Sequence, residues 1–309
     1  MAGASGALGP PAVRALVAAG HDVTAVTRRP AKRRLVEELG ATAALADALD
    51  AGAVRSLAVQ AKPEVVVDLL TALPKRGPRR VAELEATNEI RIEGSRNLTA
   101  AARAAGARRY VAESFFLIYG YGDHGAHPLE EDEPPPSRRG AGRAYQRPID
   151  ALAVKERTVR ESGLQGVVLR FGGFYGPGAG TEGFIELLKR RRLPIVRSTS
   201  VTPWIHLEDA AAAVVAAVEG ARPGPVYNVV DDEAVSLAAF LTTLAELSGA
   251  PRPLTVPSFV LRLAAPYLAR LFIDSSFRLS NRRAKEELGW SPFHPTIAEG
   301  LRTLVEART

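Results

Sequence analysis

The chain has 309 residues, 46% hydrophobic and 24% charged, which supplies enough apolar surface for one large core or two modest ones and argues against disorder. It contains no cysteine, which excludes disulfides, thiolate nucleophiles and cysteine-bound zinc together. The net charge of +6 lies partly in runs such as RRPAKRR (28–34) and KRRR (189–192) that carry no interleaved aromatics, so solvated surface rather than nucleic-acid binding is expected.

In chain order, the first signal is GASGALG (3–9), in which Gly3, Gly6 and Gly9 have the spacing of a loop that turns under a pyrophosphate and opens a helix. Only Met1 and Ala2 precede it, and the strand that normally delivers the chain into such a loop is expected to lie upstream. A helix is predicted over 12–20, with Pro10 and Pro11 set deep for a first turn, then a strand over 22–27. A second unit follows, helix 31–40 and strand 41–47. PEVVVDLLTA (63–72) is an apolar run suited to a parallel strand covered on both faces. Next come a helix over 92–106, a strand over 108–114, a polar loop to about 147, another helix, and a strand over 166–171. This alternation predicts an α/β fold with a doubly wound, Rossmann-like parallel sheet.

The alanine-rich stretch 210–218 is bracketed by Asp209 and Glu219 and is too short for a bilayer span. With no signal peptide visible, a cytoplasmic protein without membrane contact is expected.

Six segments in order resemble the extended short-chain dehydrogenase/reductase family, also called the NAD-dependent epimerase/dehydratase family: GASGALG (3–9), RRYVAES with IYG (108–120), VVLRFGGFYGPG (167–178), WIHLEDAA (204–211), VYNVVDDEAVS (226–236) and LSNRRAKEELGWSP (279–292). The resemblance implies a cofactor domain over 1–171 and 204–230 and a smaller substrate lobe over 172–203 and 231–309, with a homodimer packed through the helices near 92–106 and 149–162. It also implies that Gly3, Ser5, Gly6, Ala7, Leu8 and Gly9 surround the pyrophosphate, that Asp47 meets the adenine, and that Leu70 and Thr71 lie beneath the middle of the cofactor. At the end of the second strand, Thr27 is followed by Arg28 and Arg29 where NAD-preferring relatives place an acid, so Arg28 suits a 2′-phosphate and NADP is expected over NAD.

The likeness breaks at the chemistry. The family uses a Tyr, a Lys four residues later that lowers the phenol's pKa, and a Ser or Thr that binds the reacting oxygen. Those columns fall here on Pro148, Leu152 and Phe115, and Arg91 stands where relatives carry an Asn. Tyr145 is the best substitute acid, with Ser114 beside the lost serine column. Glu113, Tyr119, His124, His127 and Lys155 are further polar groups near the expected cleft. His124 and His127 read as exposed loop histidines and no metal is expected, while His206 and Asp209 read as a structural joint. Phe115, Phe171 and Phe174 are expected to floor an apolar pocket for an aromatic or polyketide-like substrate, a sugar nucleotide being the other candidate. Three functions remain open at this point: an NAD(P)-dependent oxidoreductase or epimerase with an unusual proton donor, a non-redox cyclase or dehydratase, and an inactive nucleotide-binding module.

Overall fold

The computed structural model describes residues 1–74, 77–133, 142–220, 222 and 224–306. The first half runs α1 (Gly9–Ala18), β1 (Thr24–Thr27), α2 (Arg33–Glu37), β2 (Thr42–Leu45), α3 (Ala51–Ala61), β3 (Val65–Asp68), α4 (Glu85–Glu89), α5 (Ser95–Ala104) and β4 (Arg109–Phe115). It continues through α6 (Arg143–Arg160), β5 (Gln165–Phe171), β6 (Gly173–Tyr175), α7 (Thr181–Lys189), β7 (Trp204–His206), α8 (Leu207–Glu219) and β8 (Val226–Val229). Five helices follow: α9 (Leu237–Leu247), α10 (Ser258–Ala264), α11 (Pro266–Phe272), α12 (Arg282–Leu288) and α13 (Ile297–Glu306).

The predicted alternation is realised as parallel strands. β1 pairs with β2, and β3, β4, β5 and β8 form a four-stranded ladder in that order. Met1 and Ala2 join the two pieces. The Ala2 amide donates to Val67 O at 2.8 Å, the Leu69 amide to Ala2 O at 3.1 Å, and the Val26 amide to Met1 O at 2.8 Å. These two residues therefore occupy the strand position between β1 and β3, directly ahead of the glycine loop. Helices α1, α8 and α12 cover one face of the sheet and α3, α5 and α6 the other, which is why β4 and β5 are buried nearly throughout.

Three local departures from regular helix matter for the site. Helix α1 starts at Gly9, three residues earlier than predicted, because Pro10 and Pro11 sit in its first turn, where their missing N–H groups have no preceding carbonyl to serve. Between α4 and α5 the backbone forms a π turn over Ile90–Gly94, so the predicted helix is longer and carries one inserted residue. Pro148 lies inside α6 and removes the N–H that would bond to the carbonyl four residues before it.

The smaller lobe packs around Trp204, which stacks on Phe240 with ring centroids 4.5 Å apart, and Tyr175, Leu244 and Leu301 complete its centre. A polar network ties the sheet to α6 beneath it. Arg170 donates Nε and Nη2 to the two oxygens of Glu156 at 2.9 and 2.8 Å and Nη1 to Tyr119 at 3.0 Å, and Tyr119 donates to Asn228 at 2.8 Å. Both members of the Arg170–Glu156 pair are buried, so Glu156→Ala leaves an uncompensated guanidinium and is expected to cost about 3–5 kcal/mol. Urea unfolding measures this, and a loss below about 1 kcal/mol, the scale of an exposed pair, would contradict it.

Candidate active site

A cleft of about 390 Å³ opens at the carboxyl ends of β1, β2 and β3, beside the glycine loop. Gly3, Ser5, Gly6, Arg28, Asp47, Leu70 and Thr71 line it, seven of the ten residues expected to touch a cofactor. Gly3 has φ +85°, and a Cβ there would stand 2.5 Å from Leu69 O, so only glycine brings the loop this close to the end of β3. The remaining three lie elsewhere. Leu8 is buried in the main core and caps α1, Ala7 is exposed outside the cleft lining, and Gly9 is needed because a Cβ would strike Ala4 at 2.3 Å. Arg29 and Lys32 join Arg28 on the cleft wall, and among the described residues none of these three is ion-paired. Past Met1 the cleft continues between β1 and β3, where Leu57, Ala58 and Val65 make its walls apolar.

Next to the cleft lies a buried charge cluster. Lys155 Nζ, fully buried, is 3.2 Å from Asp68 Oδ1 and 3.3 Å from Glu113 Oε1. Asp68 also accepts from Ser95 Oγ at 2.8 Å, Tyr110 OH at 3.0 Å and the Leu70 amide at 3.0 Å. Arg91, on the π turn, meets Glu113 at 3.5 Å. Two bases and two acids thus close on one another behind the wall formed by Leu70 and Ile90.

The columns of the lost triad are apolar in space as well as in sequence. Leu152 is fully buried and Pro148 is buried beside it in α6. Phe115 packs on Phe116 at 4.3 Å, and Phe115 and Leu152 belong to one hydrophobic cluster with Ile149 and Phe277. Ser114 points the other way. Its hydroxyl is buried and donates to Glu156 Oε1 at 2.6 Å, so it serves the Arg170 network and faces no substrate. Phe171 is likewise core rather than pocket floor, fully buried with Phe174 at 5.3 Å, because alternate residues of β5 point into the layer beneath α8. Tyr145 stands in the first turn of α6, partly buried, its ring edge-to-face with Tyr121 at 5.4 Å and Tyr121 in turn with Tyr267 at 6.5 Å. Burial raises the phenol pKa of both Tyr121 and Tyr267, so neither is an activated acid at neutral pH. His124 bonds Gly120 O at 2.9 Å, and His206 and Asp209 cap and anchor the start of α8 as expected of a structural joint.

The family model described as "NAD dependent epimerase/dehydratase family" matches residues 1–230. The chain belongs to that family. A 3-diazoavenalumate denitrifying reductase of a Streptomyces species is 38% identical over 309 residues, spanning 97% of this chain and 98% of its own. A ceramide reductase of Caulobacter vibrioides is 28% identical over 313 residues, spanning 97% of this chain and 87% of its own. The fold is that of the UDP-glucose 4-epimerase of Thermus thermophilus solved with NAD, at a TM-score of 0.78 and 22% identity over 99% of this chain and 96% of the other. As a member of the family, the chain is an enzyme of the NAD(P)-dependent oxidoreductase/epimerase class, and its cofactor is a nicotinamide dinucleotide.

The epimerase/dehydratase cofactor fits the residues present: a glycine cradle that a Cβ would fill, an acid at Asp47, and uncommitted cations at the end of β1. Lys32, Asn88, Tyr121 and Tyr267 had no motif to announce them: Lys32 lies on the short helical turn after β1, Asn88 in α4, Tyr121 in the loop after β4 and Tyr267 in α11. Gly3→Ala is expected to abolish dinucleotide binding by pushing the loop off Leu69. Retention of cofactor-induced fluorescence quenching within threefold of the unmodified chain would show that the loop tolerates the shift.

Proposed function

We propose that this enzyme is an NADPH-dependent reductase that removes a diazo group from an aromatic small molecule as dinitrogen. The observation that carries the reading is the apolar trio Phe115, Pro148 and Leu152 standing where the family keeps its proton relay. A carbonyl reduction or a sugar epimerisation moves a proton on and off oxygen and needs that relay. Replacement of a diazonium by hydride does not: a carbon–hydrogen bond forms from the hydride pair, the carbon–nitrogen bond breaks, its electron pair leaves with N2, and no proton is transferred. Phe115, Tyr121 and Tyr145 then exclude water and present flat apolar faces to a ring. The 38% identical Streptomyces relative, whose name states this type of reaction, supports the same reading.

When bound, the nicotinamide dinucleotide supplies the hydride. Gly3 and Gly6 would hold its pyrophosphate and Asp47 its adenine end, while Arg28, with Arg29 and Lys32 nearby, would hold a 2′-phosphate, which supports NADP over NAD. The reading includes a family-like homodimer packed through α5 and α6 and a cytoplasmic location.

Incubation with NADPH and 3-diazoavenalumate is expected to release one dinitrogen per NADPH oxidised, followed by mass spectrometry of the headspace. NADPH oxidation without dinitrogen, or no oxidation, would overturn the reaction. Tyr145→Phe is expected to keep turnover within twofold and to leave a pH profile without a phenol limb. A tenfold loss would restore Tyr145 as an acid.

Arg28→Ala is expected to weaken NADPH at least about tenfold, the scale of one charged hydrogen bond, and to leave NADH unchanged. Equal weakening of both cofactors, read by titration, would remove Arg28 from 2′-phosphate recognition.

A further inference from the structure

Arg91 is 6% exposed, and among the described residues its Nε is buried without a hydrogen bond: its one ion-pair contact is the 3.5 Å approach of Nε to Glu113 Oε1. The Nε–H is thus a buried donor left unused, and the two terminal nitrogens are not engaged by any other described side chain. Glu113 is already served by Lys155, and Asp68 has Lys155 plus three neutral donors, so neither acid requires Arg91 for its own satisfaction. Three residues earlier in the chain, at the end of α4, Asn88 is 2% exposed with both Nδ2 and Oδ1 unpartnered. Buried polar groups are rarely left unpaired in folded proteins, and here two residues three apart in the chain carry them. Arg91 lies close enough to Tyr267 for its charge to act on that phenol, and Tyr267 packs edge-to-face on Tyr121.

The arrangement sets the donors of an anion site beside aromatic side chains. A guanidinium fork and a carboxamide N–H are the donors that match the two oxygens of a carboxylate, while Tyr121, Tyr145 and Phe115 offer apolar ring faces. The neighbouring Ala86 and Ile90, on the same helical run, line the cofactor cleft, so an anion held here sits at the edge of that cleft. Resting on the reductase reading above, we infer that Arg91 and Asn88 bind the carboxylate of an aromatic acid whose ring lies among Phe115, Tyr121, Tyr145 and Tyr267. Arg91 is a binding and specificity-determining residue in this scheme. It replaces the Asn of relatives because the substrate is an acid rather than a neutral sugar ring.

The test is calorimetric binding of trans-4-hydroxycinnamate and of its methyl ester to the full chain, with and without saturating NADP+. The acid is expected to bind at least tenfold tighter than the ester. Arg91→Gln combined with Glu113→Gln, which removes one charge of each sign, is expected to bring acid and ester within twofold of each other. Arg91→Lys keeps the charge but loses the fork, and is expected to reduce the preference three- to tenfold in a chain whose melting temperature is unchanged. Equal binding of acid and ester, absence of binding by either, or a preference that survives both variants would overturn the assignment. Because these ligands carry no diazo group, failure of the reductase reading shows separately: dinitrogen release fails while the acid-over-ester preference stands.

Discussion

The ammonium group of Lys155 is the interaction on which the site's geometry rests. A lysine with no exposed surface bears a desolvation cost of several kcal/mol and persists only with well-placed counter-charges, here Asp68 on β3 and Glu113 on β4. That three-way contact fixes the depth of α6 against two adjacent strands. It aims Asp68 so that its second oxygen takes Ser95 and Tyr110 while its first takes the Leu70 amide, which shapes the cleft floor. It also turns Glu113 toward the π turn, where Arg91 stands. The wall of the cofactor cleft and the buried guanidinium behind it are therefore consequences of one charge.

The parallel strands were legible because residues buried on both faces leave continuous apolar runs, as in VVVD and in GVVLRF, and the place of the cleft was legible because a glycine loop has a spacing. What escaped was anything dependent on side-chain direction. Ser114 and Phe115 are adjacent in sequence, yet the pleat sends one to Glu156 and the other to the Phe116 cluster. Phe171 looked like Phe115 in composition and turned out to be core. Arg29 and Lys32 read as surface charge until the short helical turn after β1 brought them round to the cleft, and Asn88 carried no signal beyond being polar in a helix.

The loss of the proton relay did not leave a hole. Leu152 and Phe115 are packed with neighbours from α6 and the turn after β4, Pro148 is buried in α6, and burial raises the phenol pKa of Tyr121 and Tyr267. The three columns are now apolar and aromatic.

The two prolines of α1 have one more implication. A helix start ordinarily attracts phosphate through amides that need no side chain and lie too close to the ligand for salt to intervene. Pro10 and Pro11 remove two such donors from the first turn, and under the proposed cofactor pose more of the attraction would fall to the exposed cations Arg28 and Arg29, with Lys32 beside them. Charges on flexible stems at a surface are screened over about 8–10 Å in physiological electrolyte. Under that pose, cofactor capture would depend on ionic strength, and a dinucleotide held firmly in dilute buffer would be released as the surrounding salt rises.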